Sequence, residues 1–260
     1  KNLVRDLDPL VARLVQVPSM GIILALYFSP LKHRGTSAIL NRFGLVQQAT
    51  SLYFVGMLSN LAIYPGERNF FYNEFQDGVH GGSLLPFFCS YLTIELPMSV
   101  FGSLIYTIFS VLVTGLPRNA TNFFWTFYGV FIFVTCGESL GILTNTLFPQ
   151  PGFVVNSISI CISLGCCMSG IMSLNMDVVL KVINWFSPMN FVIITLINHA
   201  FPESLQIKLD PQTIITGREI LQNYGIYKSK DYYMIYATLV MIGYRLLAFV
   251  VLWWKLRSLR

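Results

Sequence analysis

Charged residues are scarce in this sequence. Asp, Glu, Lys and Arg make up 11% of its 260 residues, against roughly 25% in a soluble domain. Hydrophobic residues reach 54%, aromatics 15%, and mean hydropathy is +0.61. This composition excludes an ordinary soluble domain and indicates a polytopic membrane protein. The net charge of +5 is spread over loops and tail. Without a basic stripe interleaved with aromatics, nucleic acid is not an expected partner.

Other absences narrow the chemistry. No G-x-x-x-x-G-K-[ST] loop occurs, so the chain has no phosphate cradle of its own. His33, His80 and His199 stand far apart, outside any H-E-x-x-H pattern, and no G-x-S-x-G elbow is present. No catalytic or metal-binding residue is assigned. A membrane-embedded enzyme would need polar groups clustered at one depth, and a channel a pore-lining polar stripe or filter. These remain the alternatives from other classes. The five cysteines, Cys89, Cys136, Cys161, Cys166 and Cys167, all lie in apolar runs without ligand spacing, which suits small buried hydrophobes. Lys1 is not an initiator Met and no cleavable leader is visible, so a piece of a longer chain is expected.

What is present is a series of apolar runs, each near the ~20 residues needed to cross a bilayer. Six are read as spans: residues 10–28, 43–64, 87–116, 123–148, 153–174 and 232–254. The third is too long for one straight crossing, so its opening part is expected near the interface and the span proper near Glu95 and Pro97. Residues 178–201 are apolar but broken by Lys181, Asn184 and Ser187-Pro188, which favours a re-entrant or interfacial pair of short helices. Residues 202–231 read as a polar loop. The expected fold is an all-α integral membrane domain of six transmembrane helices, spanning residues 1–260 as one unit.

Two charges stand inside these spans. Glu138 lies ten positions from Phe148 and Arg245 nine from Trp254, so at ~1.5 Å per residue their depths agree within a helical turn. A charge at mid-bilayer costs at least ~2.5–3.5 kcal/mol, and pairing is the usual remedy. Glu138 and Arg245 are therefore expected to form an intramembrane pair that sets how the fourth and sixth spans pack.

The polar interruption between the second and third spans reads Y-P-G-E-R-N-F-F-Y-N-E-F-Q-D-G, followed by E-L-P at residues 95–97. This ordered set, with Asn41-Arg42, Ser169-Gly170, Ser187-Pro188 and Tyr244-Arg245, resembles the membrane domain of ABCG-type (White/PDR-like) ATP-binding-cassette transporters, with a eukaryotic, fungal member expected. The resemblance covers essentially the whole chain. It implies an ABC-2, type V exporter-like architecture with an amphipathic coupling segment and a re-entrant helical pair before the last span. Several relatives carry cysteines in the large outer loop, whereas residues 177–231 here contain none.

The implied function is one transmembrane half of an ATP-driven exporter of hydrophobic or amphipathic molecules, such as lipids, sterols or xenobiotics. Its implied partners are a nucleotide-binding domain of the same polypeptide, encoded upstream and holding ATP and Mg, a second transmembrane domain, and membrane lipid. The implied location is multi-pass in the plasma membrane or a vacuolar or other endomembrane. Carried over by motif, Glu67, Arg68, Glu74 and Glu95 are coupling residues, with the aromatics between Phe71 and Phe75 available to dock on the ATPase. Gln48, Leu52, Val55, Ile162, Ser163 and Cys166 line the cargo path, and Ile171 and Met172 form an outer gate.

Overall fold

A computed structural model describes residues 7–31, 35–77, 84–148, 150–167, 178–210, 213–226 and 231–257. Its helices are α1 (Leu7–Phe28), α2 (Thr36–Gln48), α3 (Ser51–Gln76), α4 (Leu85–Thr107), α5 (Ala120–Leu147), α6 (Pro151–Cys167), α7 (Val178–Asn184), α8 (Pro188–Ala200), α9 (Gly217–Asn223) and α10 (Asp231–Arg257). A π-helical turn, Ile108–Val113, prolongs α4. Strands β1 (Gln206–Asp210) and β2 (Thr213–Thr216) pair antiparallel, Ile207 opposite Ile215.

Among the described residues, three stretches are long and apolar enough to cross a membrane unaided: Leu85–Val113, Ala120–Leu147 and Tyr232–Arg257. The pair α7 and α8, bent by 83°, adds a fourth if counted as one broken span. Leu14–Phe28 and Gly152–Cys167 are shorter apolar helices. α5 is the central helix and α10 the most exposed of the long ones, with Ile235, Leu239, Leu246 and Val250 all open to the surroundings.

Several expectations from the sequence are corrected. The second apolar run is not one helix from residue 43 to 64. It turns at Ala49 and Thr50, and α3 then runs unbroken through Pro65 to Gln76. The polar segment is thus a helical extension of α3. α4 is likewise continuous from Leu85 into the π-helical turn, with Pro97 inside it, and no interfacial opening portion is set apart. The presumed polar loop at residues 202–231 contains the β-hairpin and α9, which begins with a capping box between Thr216 and Glu219.

The core is built on close backbone approach between α3 and α5. A Cβ on Gly137 would sit 2.1 Å from the carbonyl oxygen of Tyr53, and one on Gly56 would sit 2.4 Å from that of Val134. Gly137 and Gly141 form a G-x-x-x-G face, which lets helix backbones meet where lipid supplies no hydrophobic drive. At the hairpin end, fully buried Arg42 donates from Nη1 to the Ala200 carbonyl at 3.4 Å. It thereby serves a free carbonyl in the last turn of α8, where positive charge is favoured.

Filling the seam should break it. Gly137→Val is expected to cost about 1–3 kcal/mol or more, as overpacking does, and to lower the thermal midpoint in detergent. Gly243→Val, at a position with nothing within 4 Å of the added Cβ, should leave it unchanged.

Candidate functional site

The densest polar chemistry among the described residues lies inside the bundle, where α3, α4, α5 and α10 meet. Arg245 on α10 donates from Nη1 to Glu95 Oε2 at 2.8 Å and from Nη2 to Glu138 Oε2 at 3.1 Å. Asn60 on α3 donates from Nδ2 to Glu95 Oε1 at 2.8 Å and to the Glu138 carbonyl at 2.8 Å. The Tyr91 hydroxyl donates to Asn60 Oδ1 at 2.5 Å. The Ser99 hydroxyl donates to Glu138 Oε1 at 2.6 Å, its oxygen 3.1 Å from the Glu95 carbonyl. Glu95 is 1% exposed, Glu138 5% and Asn60 0%.

Helix periodicity assembles this set. Tyr91, Glu95 and Ser99 recur every four residues on one face of α4, as Gly56, Asn60, Tyr64 and Arg68 do on α3. The α3 stripe faces α5: Tyr64 Oη lies 2.9 Å from Thr146 Oγ1, and Arg68 Nη1 donates to the Asn145 carbonyl. Burial removes water from the charges, so the ion pairs stand only because further hydrogen bonds satisfy each carboxylate oxygen. Two carboxylates share one guanidinium among the described side chains. A cleft lined by Gln16, Val17, Val55, Ser59, Ser99 and Glu138 runs alongside between α1, α3, α4 and α5. No group of three or more His, Cys, Asp or Glu suited to a metal ion occurs among the described residues. The arrangement is that of a strut joining four helices.

The residues singled out from the sequence fall as follows. Glu138 and Arg245 stand 3.1 Å apart, and Glu95 joins them as a third member that sequence reasoning assigned elsewhere. Glu95 is therefore separated from Glu67, Arg68 and Glu74, which lie half-buried on the α3 extension. Asn60, Tyr91 and Ser99 were missed, although the i, i+4, i+8 polar stripe of α4 was a usable signal. Phe71 does not face outward: it is 1% exposed and stacks on Phe87 at 4.1 Å beside Leu252 and Leu256. Phe70, Asn69 and Asn73 form the open face instead.

On the expected cargo path, Leu52 and Val55 are buried, Val55 turning toward α1. Gln48 at the end of α2 is exposed, and Ser51, Phe54 and Leu58 on α3 are half-buried. Ile162 packs on the core, Ser163 is exposed, and Cys166 Sγ lies 3.3 Å from Thr50 Oγ1. Ile171 and Met172 lie outside the described residues.

Apolar helices that enclose a charged strut and carry a polar helical extension at one end define an integral membrane domain. Residues 1–201 match the family model described as ABC-2 type transporter, and the chain belongs to that family as a membrane domain. An ABC transporter ATP-binding protein/permease of Saccharomyces cerevisiae is 47% identical over 264 residues, an alignment covering 98% of this chain and 20% of that protein. The chain thus spans about a fifth of the length of that relative.

Removing the cation should be worse than removing one anion. Arg245→Gln takes the guanidinium away from two buried carboxylates and is expected to cost about 3–5 kcal/mol, read as loss of folded protein in detergent. Glu138→Gln should cost less, because Glu95 still holds Arg245. The double variant Arg245→Gln/Glu138→Gln should recover part of the loss. Additive losses across the two sites would contradict the strut.

Proposed function

We propose that this chain is one transmembrane half of an ATP-driven exporter moving hydrophobic or amphipathic molecules, of the ABCG type suggested by its E-R-x-x-F-x-x-E segment. The reading is carried by one observation: α3 runs as a single helix from the buried strut at Asn60 to the polar extension ending at Gln76. At ~1.5 Å per residue it is a lever of about 24 Å between those points. The relative in which an ATP-binding protein and a permease are one polypeptide supports the same reading.

In this proposal ATP and magnesium bind a nucleotide-binding domain of the same polypeptide, which meets the extension through Asn69, Phe70 and Asn73. α1, the α2–α3 unit, α4, α5, α6 and α10 each cross the membrane once, and α7 with α8 enters without crossing. Both termini then lie on the cytoplasmic side, as the basic residues Lys255 and Arg257 favour. A second membrane domain, from another copy, a different chain or the other half of a full transporter, faces α3 and α6 and closes a cavity between them. Ile171 and Met172, following Ser169-Gly170, are assigned to its outer gate. Lipids, sterols and amphipathic drugs are the cargo class, in a plasma or vacuolar membrane.

Cargo meets Gln48 at the end of α2 and Ser51, Phe54 and Leu58 on α3, all less buried than Leu52 and Val55. Phe54 supplies a flat apolar surface for stacking. The full-length protein in proteoliposomes is expected to show vanadate-sensitive ATPase, stimulated by a fluorescent phosphatidylcholine, a sterol or an amphipathic dye. Phe54→Ala should reduce that stimulation several-fold while Val55→Ala should not. Glu74→Gln should keep hydrolysis and lose transport. A preparation that folds and hydrolyses no ATP would contradict the proposal.

A further inference from the structure

α5 ends at Leu147, and its last carbonyls have no intrahelical donors. Phe148 N–H serves the Thr144 carbonyl, and Arg68 serves that of Asn145. Arg68 reaches across from the α3 extension, its guanidinium carbon 5.7 Å from the centre of the Tyr72 ring one turn further on. A cation at a helix C-terminus also meets the negative end of the macrodipole. One turn before it on α3, Tyr64 pairs with Thr146 at 2.9 Å, and two turns before, Asn60 donates to the Glu138 carbonyl at 2.8 Å. Above these lies the glycine seam at Gly56, Gly137 and Gly141. α3 and α5 are therefore joined at four successive levels, and Arg68 is the level nearest the extension. α6 differs, since Val154 and Ile158 meet α3 through apolar contact with Met57, at the level of Gly56 and away from the extension.

We infer that Arg68 is a positioning residue that latches the C-terminal end of α5 to the α3 extension, so that extension, α5 and, through Glu138 and Arg245, α10 move as one body. This rests on the transporter reading above. Arg68 thus acts inward on the membrane domain, and does not serve as a contact to the ATPase. Without the latch, the extension can swing while α5 stays behind, and ATP-driven motion stops short of the strut. The loss of one charge-assisted hydrogen bond raises the unlatched population about tenfold.

The test uses the full-length transporter in nanodiscs, in a cysteine-depleted background that retains ATPase. Nitroxide labels at Gln76 and Leu147, both exposed, report the latch, and labels at Gln76 and Asn156 report α3 against α6. Distances are measured by electron spin resonance without nucleotide and after ATP–vanadate trapping. The Gln76–Leu147 distance should stay constant on trapping while the Gln76–Asn156 distance changes. Arg68→Met should give a second, nucleotide-dependent Gln76–Leu147 distance, and Arg68→Lys, which keeps the charge at the carbonyl, should restore the single one. If Arg68→Met does not fold, wild type and Arg68→Lys carry the test. A Gln76–Leu147 distance that shifts in wild type overturns the inference. So does a single unchanged distance in Arg68→Met, or a static Gln76–Asn156 pair with hydrolysis intact. Absence of hydrolysis in wild type removes the transporter reading and the inference with it.

Discussion

A guanidinium held within a helix bundle at membrane depth must be neutralised where it stands, and that constraint organises this domain. Arg245 enters on α10, the long helix with the least protein around it, and finds carboxylates from α4 and α5. Each carboxylate then requires its own donors, which Asn60 and Ser99 supply. α10 has little apolar burial to hold it at this level, so directional polar contacts fix its depth and rotation. In lipid such contacts are modest individually. Here they are mutually dependent, because removal of any one leaves a buried polar group unmatched.

The glycine seam makes the strut possible. Asn60 can reach both Glu95 and the Glu138 carbonyl only because α3 and α5 touch backbone to backbone at Gly56 and Gly137. The same stripe of α3 continues through Tyr64 to Arg68, so packing and electrostatics lie on one face of one helix. Its other side is less covered, with Phe54 and Leu58 half-buried.

Much of this was legible in the sequence, for identifiable reasons. Glu138 and Arg245 stood out because charge in an apolar run has few acceptable explanations, and equal depth suggested one partner for the other. Glu95 was grouped by motif with the coupling segment, and Pro97 two residues later reads as a helix boundary. α4 accommodates the proline within a continuous helix, and Glu95 consequently lies inside the bundle. Asn60 and Tyr91 carried no such contrast, since single polar residues in a helix are common. The cargo-facing positions Leu52 and Val55 were assigned by alignment of motifs, which fixes register along a helix but not its rotation against a neighbour, and both lie buried. The broken pair α7 and α8 was readable from Ser187-Pro188, because Ser187 caps α8 and the proline suits its first turn. The hairpin at residues 206–216 was not, its strands being too short to show alternation.

The most direct test of this account is an experimental map of the full-length protein in lipid nanodiscs, at a resolution that shows side chains, without nucleotide and after trapping. The strut requires the Arg245 guanidinium to lie between Glu95 and Glu138 in both states, within hydrogen-bond distance of each carboxylate. An Arg245 side chain extended toward the lipid headgroups, with Glu95 and Glu138 satisfied by other donors, would contradict it.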